Sequence, residues 1–198
     1  MHYSYAIEQA IRASALLHKD QVRKGKVPYP YITHLFAAAM IAADHTDNED
    51  VIVATLLHDT LEDTEYTEAE LRGDFGDAVA DIVRVVTEPR RKANDLPAIL
   101  AQKKQYLKQI KNAPEAALIV VAADKIHNMR SVIESYYEDH AGFLADFGIA
   151  LQDRMRIYQE ISNILNRSLK NAILSEFNSV FTEYKNFILD VEKKRTDR

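Results

Sequence analysis

Apolar residues along this chain mostly recur three and four positions apart, the period of an amphipathic helix. Ala6, Ala10, Ala13 and Leu17 mark one face of a first helix, expected over about Tyr3–Asp20. The pattern breaks over Gln21–Tyr31, where Gly25, Pro28 and Pro30 predict a loop. A second helix is expected from Thr33 to Ala43. Asn48 or Asp47 caps a third, in which Val51–Leu61 is apolar until His58 and Asp59 interrupt it. Thr67-Glu68-Ala69-Glu70 has the form of a capping box, so a helix starts there. Gly73 and Gly76 bracket a corner, and another helix covers Ala78–Thr87. Glu88–Pro97, with two prolines and the run Arg90-Arg91-Lys92, reads as an exposed loop. Further helices are expected over Ala98–Lys111 and Glu115–Tyr137, and two or three more between Gly142 and Lys194. The pattern predicts an all-α chain without repeats or linkers, its charged end Glu192–Arg198 fraying.

Composition narrows the functional classes. The 198 residues suit one domain, and 47 % hydrophobic residues supply a substantial core. Five glycines and five prolines argue against turn-rich β architectures. The absence of cysteine excludes disulfides, thiolate metal sites and cysteine nucleophiles, and it fits a reducing compartment. A net charge of −5 argues against a nucleic-acid polymer as partner. Met1–His18 lacks the apolar core of a signal peptide, and stretches such as Ala116–Ala123 are too short for a bilayer. The expectation is a cytoplasmic protein without a membrane span.

Candidate chemistry begins with a polar pair inside an apolar helix. His58 and Asp59 follow Val51–Leu57, which carries no charge, and burying an unpaired charge is costly. A divalent cation is one natural partner for adjacent imidazole and carboxylate groups. Asp124 follows a second apolar run, Ala116–Ala123, and His34 opens an apolar helix after the proline-rich loop. Two imidazoles and two carboxylates suit Mn²⁺, Fe²⁺ or Zn²⁺ with positions left for water and substrate. A helix-embedded histidine is more often a hydrogen-bonded core residue, and the pattern alone leaves the two readings evenly balanced.

Order and spacing add a family resemblance. A His, an adjacent His-Asp pair roughly two dozen residues later, and a distant Asp resemble the H…HD…D signature of HD-domain phosphohydrolases. Arg23-Lys24-Gly25, Pro30-Tyr31-Ile32-Thr33-His34, Leu57-His58-Asp59-Thr60-Leu61-Glu62-Asp63-Thr64 and Ala123-Asp124-Lys125-Ile126-His127-Asn128-Met129-Arg130 are similar to the hydrolase domain of the RelA/SpoT-homologue family. The resemblance covers residues 3–165 and implies a single HD-domain helical bundle over 1–198, with additional C-terminal helices over 166–194. No synthetase module follows, so the single-domain small alarmone hydrolases are the expected relatives. It implies metal-dependent removal of the 3′-pyrophosphate from guanosine tetra- or pentaphosphate, with a small-molecule nucleotide as partner. A homo-oligomer is compatible with the sequence.

Carried over residue by residue, the resemblance makes His34, His58, Asp59 and Asp124 the metal ligands, commonly for Mn²⁺. Glu62 and Asp63 match the acidic pair that positions or activates the attacking water; the bland alternative is a solvated helix end. Arg23, Lys24 and Asn128 match nucleotide contacts, and Tyr158 matches a late-helix tyrosine lining the pocket or is an ordinary core residue. Lys103 and Lys104 could reach phosphate, but a solvated helix face is the favoured reading. His18 is expected to brace the Arg23 loop, and His127 has no assigned role. One departure stands out: the segment from Lys24 to Thr33 is longer than the usual family loop, where the base would sit. The alternatives are an HD-type phosphatase acting on a reduced dinucleotide phosphate (NADPH) or a nucleoside monophosphate, and a non-catalytic nucleotide sensor. A nucleotide panel separates the first two; a sensor would be expected to have lost a ligand or acid.

Overall fold

Side-chain caps open four of the helices in the computed structural model, which describes residues 3–23, 25–90, 93, 95–140, 143 and 151–196. Ser4 Oγ accepts from the Ile7 N–H (3.2 Å), opening α1 (Tyr5–Leu17). Helix α2 spans Ile32–Ala43. Asn48 Oδ1 accepts from the Asp50 N–H (3.0 Å) before α3 (Glu49–Leu57), and a single turn, α4 (Thr60–Asp63), follows. The Thr67–Glu70 capping box opens α5 (Glu68–Val86), and Asp95 caps α6 (Leu96–Ile110). Helices α7 (Glu115–Glu138), α8 (Leu151–Ser168) and α9 (Ile173–Thr196) complete the described elements. Each such cap is worth about 1 kcal/mol. Among the described residues, the only strand-like pairing is the isolated bridge Val22–Pro30.

Helices α3 and α7 lie at the centre because they are apolar nearly all round. Every residue from Val51 to Leu57 and from Ala117 to Asp124 is buried. Helix α3 packs on α1, α2, α5 and α7; α7 also meets α2, α5, α8 and α9. Phe177, Tyr184 and Ile188 of α9 join the same continuous core. Any polar side chain on the inner faces of α2, α3 and α7 therefore points into protein, and this placement builds the site. None of the described helices is long and apolar enough to cross a membrane.

Local departures from the sequence expectation have local causes. Helix α3 stops at Leu57 rather than Leu61, because side chains take its last carbonyls: His58 Nδ1 donates to Thr55 O (2.7 Å) and Thr60 Oγ1 to Leu57 O (2.6 Å). The corner in α5 belongs to Gly76 alone, whose φ of 82° suits glycine. Pro97 stands in the first turn of α6, where its missing N–H costs nothing. The Gln21–Tyr31 loop doubles back on itself through Arg23 N–H to Tyr29 O (2.8 Å) and Tyr31 N–H to Gln21 O (2.9 Å).

Candidate metal centre and active site

Three elements deliver the four expected ligand side chains to one point. His34 comes from the first turn of α2, His58 and Asp59 from the end of α3, and Asp124 from the middle of α7. His34, His58 and Asp59 each offer an atom within 4.8 Å of the others. Asp124 falls outside that tight triad, yet its Oδ1 is 3.3 Å from His34 Nε2 and 3.6 Å from His58 Nε2. Asp59 Oδ2 is 3.7 and 3.3 Å from the same two nitrogens.

The donor chemistry fits a divalent cation. Since His58 Nδ1 donates to the Thr55 carbonyl, Nε2 is left with a lone pair, buried and without a hydrogen-bond partner. An acceptor atom in that position, facing two carboxylates, is satisfied by a cation. Electrostatics agree. Burial opposes charge on His58, but Asp59 and Asp124 outweigh it and push its pKa up to about 9. Burial opposes charge on Asp59 and Asp124 too, yet His58 and His34 lower the first, and Lys125 with the same histidines holds the second well below the usual range. For His34 burial wins, and its pKa is lowered. The two carboxylates therefore draw positive charge to this point, whether a proton on His58 or a cation.

Each carboxylate is held by a further side chain. Tyr31 Oη donates to Asp59 Oδ2 (2.7 Å), with its ring stacked on His18 (5.2 Å between centroids) and under the Arg23 guanidinium (5.6 Å). His18, buried and bonded to Gln21 (2.8 Å), thus braces this loop as expected. Lys125 Nζ lies 2.6 Å from Asp124 Oδ2, and Asn128 Nδ2 donates to Asp124 Oδ1. Arg23 in turn donates to Asn128 Oδ1 (3.0 Å).

Two cavities lie side by side here, the smaller of them opening on the cluster. The smaller, about 400 Å³, is lined by His34, Asp59, Asp124, Glu62, Asp63 and Tyr158; the larger, about 590 Å³, by Arg23, His127, Asn128 and the loop residues Val27 and Tyr29. They share Tyr31, Asn128 and Arg154. Glu62 and Asp63 stand on α4, not on a continuation of α3, and are solvent-exposed at the cavity wall. Partial desolvation, then Glu88 and Asp59, raises the Glu62 pKa to about 7; desolvation and Asp59 also raise Asp63. Tyr158 is both core and wall, being 8 % exposed.

Several expectations need correction or addition. Glu88 does not belong to an exposed loop: its N–H donates to Glu62 Oε2 (3.1 Å) and its carboxylate accepts from Lys103 (2.6 Å). Lys103 is therefore a cavity residue rather than part of a solvated face, whereas Lys104 is exposed. Lys24 lies outside the described residues. Sequence reasoning missed the supporting roles of Tyr31, Lys125 and Glu88, and left His127 without one. The signal for Lys125 was present as a cation inside an apolar helix next to Asp124; nothing local marked Glu88.

Comparison with known proteins bears on the family and the fold. The sequence profile of the HD domain matches residues 10–145. GTP pyrophosphokinase of Streptomyces coelicolor is 36 % identical over 127 residues, which is 64 % of this chain but only 14 % of that protein. The chain therefore spans a small fraction of that relative. Guanosine-3′,5′-bis(diphosphate) 3′-pyrophosphohydrolase MESH1 of Mus musculus is 35 % identical over 126 residues, 63 % of this chain and 68 % of that protein. A solved metazoan orthologue of SpoT, described as hydrolysing ppGpp, superposes with a TM-score of 0.73 at 21 % identity, covering 92 % of this chain and 97 % of that one. At that identity the likeness establishes the all-α fold. With the family profile covering most of its length, the chain belongs to the HD domain family.

Proposed function

We propose that this chain is a metal-dependent phosphohydrolase that removes the 3′-pyrophosphate from guanosine tetra- or pentaphosphate. The observation that carries the reading is the placement of Glu62, its carboxyl pushed up to about 7, on the wall of the cavity that His34, Asp59 and Asp124 also line. The name of the mouse relative supports the substrate.

His34, His58, Asp59 and Asp124 would hold the cation, Mn²⁺ in this reading, with Fe²⁺ or Zn²⁺ as alternatives for a nitrogen–oxygen donor set. A cation there supplies Lewis acidity toward a phosphoryl oxygen and makes a nearby water more acidic. Glu62 takes the proton of the attacking water, its Oε2 steadied by the Glu88 N–H, and Asp63 orients that water. The water oxygen bonds to the phosphorus carried on the ribose 3′-oxygen, the bond from that phosphorus to the 3′-oxygen breaks, and the 3′-oxygen leaves with the proton that Glu62 took. Lys103, Lys125 and Arg154 line this cavity and supply positive charge for the phosphates. Arg23 offers a planar fork and Asn128 an amide at the junction with the larger cavity, which takes the nucleoside; Lys24 joins them in this reading, and Tyr158 closes the wall.

A second reading keeps the chemistry and changes the nucleotide. It is favoured by the long loop, since Val27 and Tyr29 line the larger cavity. The test is a comparison of guanosine tetraphosphate with NADPH and nucleoside monophosphates under identical Mn²⁺ conditions, with products identified. Pyrophosphate and GDP from the alarmone at the highest kcat/KM support the first reading. A preference by orders of magnitude for another nucleotide establishes the second.

A further inference from the structure

His34 is the one cluster residue whose outward nitrogen meets another histidine. Its Nδ1 is 2.8 Å from Nδ1 of His127, one helical position before Asn128 on α7. The two rings are 4.8 Å apart, tilted by 48°, and Ser131 Oγ lies 3.4 Å from the same His127 nitrogen. His34 Nε2 faces Asp124 Oδ1 (3.3 Å) and Asp59 Oδ2 (3.7 Å), so its inner nitrogen is the one directed at the candidate metal position. His127 also lines the larger cavity, whereas the cluster's carboxylates line the smaller one.

We infer that His127 is a positioning residue that fixes the tautomer of His34, and that it thereby presents a hydrogen-bond donor to an acceptor atom on the nucleoside part of the ligand. The inference rests on the metal-site reading above. For His34 to ligate through Nε2, that nitrogen must keep its lone pair and Nδ1 must carry the proton. The 2.8 Å contact then runs one way: His34 Nδ1–H donates and His127 Nδ1 accepts. With Nδ1 used as acceptor, neutral His127 has its proton on Nε2, on a residue that lines the larger cavity. The opposite arrangement fails. A His127 that donated through Nδ1 would place the His34 proton on Nε2, toward the carboxylates, and close that nitrogen to a cation. Most metal-bound histidines hand this proton to a carbonyl or carboxylate. A histidine as recipient links the metal centre to the neighbouring cavity through two hydrogen bonds, so the cation and the nucleoside each favour the tautomer the other needs.

Amide side chains separate the two halves of the role. In His127→Asn the amide oxygen stands near the position of Nδ1 and keeps an acceptor for His34. In His127→Gln the amide nitrogen stands near Nε2 and keeps a donor toward the cavity, but the acceptor is lost. The experiment measures Mn²⁺ affinity by titration of metal-stripped protein, and separately KM for guanosine tetraphosphate, with circular dichroism confirming the fold of each variant. The expected result is Mn²⁺ affinity near wild type in His127→Asn and a loss of roughly 10- to 100-fold in His127→Gln, the scale for removing such an outer partner. KM should follow the reverse order, raised in His127→Asn more than in His127→Gln. Equal Mn²⁺ affinities in wild type, His127→Asn and His127→Gln would overturn the inference while leaving the metal site intact. A wild-type protein that binds no Mn²⁺ would overturn the metal-site reading, and this inference with it.

Discussion

Asn128 donates through Nδ2 to Asp124 Oδ1 one helical turn earlier, while its own Oδ1 accepts from Arg23 at 3.0 Å. This amide joins a candidate metal ligand to the residue expected to meet the nucleotide. Removing it should therefore touch both functions. Asn128→Ala is expected to lower kcat/KM by about 10-fold or more, the scale of one lost hydrogen bond to a charged group at 1.5–3 kcal/mol. Arg23→Ala should act on KM without changing metal content, because Arg23 reaches Asp124 only through Asn128. Metal analysis of both variants beside their kinetics checks this division; loss of the ion in Arg23→Ala would contradict it.

Glu62 gives the site a pH signature. A carboxyl lifted to about 7 is protonated below that pH and cannot take a proton from water, so kcat falls as pH falls. The limb lies at about 7 or lower, because a bound cation draws the carboxyl down. Glu62→Gln is expected to slow turnover by roughly 10²-fold or more and to abolish this limb while keeping the fold and metal. A pH–rate profile of the variant with the limb intact would assign it to another group.

Much of the site was legible because it violates the helix pattern. His58 and Asp59 directly follow one run that is buried without exception and Asp124 ends another, and a buried charge demands a partner. The helices were legible from period and caps, with Thr67–Glu70 the clearest. What periodicity could not show was the break at His58, set by hydrogen bonds from His58 and Thr60 side chains to the preceding carbonyls. Nor does any local pattern reveal that Glu88, 26 positions after Glu62, turns inward to hold it. Contacts of this kind depend on how α5 and α6 approach α4, which no single helix encodes.

The C-terminal helices are proposed to belong to the same domain as the HD core, although the family profile ends at residue 145. Phe177 of α9 is fully buried and continuous with that core. Phe177→Ala should cost about 3–5 kcal/mol, and unfolding should remain a single transition. Two separated transitions in urea, with only one shifted by the substitution, would make α8 and α9 an independent unit.

A cation at His34, His58, Asp59 and Asp124 is proposed to drive alarmone hydrolysis. The most direct measurement is pyrophosphate release from guanosine tetraphosphate by one protein sample, first metal-stripped and then reloaded with Mn²⁺. The stripped protein should show no release above background, regain it once about one ion per chain is bound, and fail to regain it in His58→Ala or Asp124→Ala. Undiminished release without metal, or none from the fully loaded wild type, would contradict this proposal.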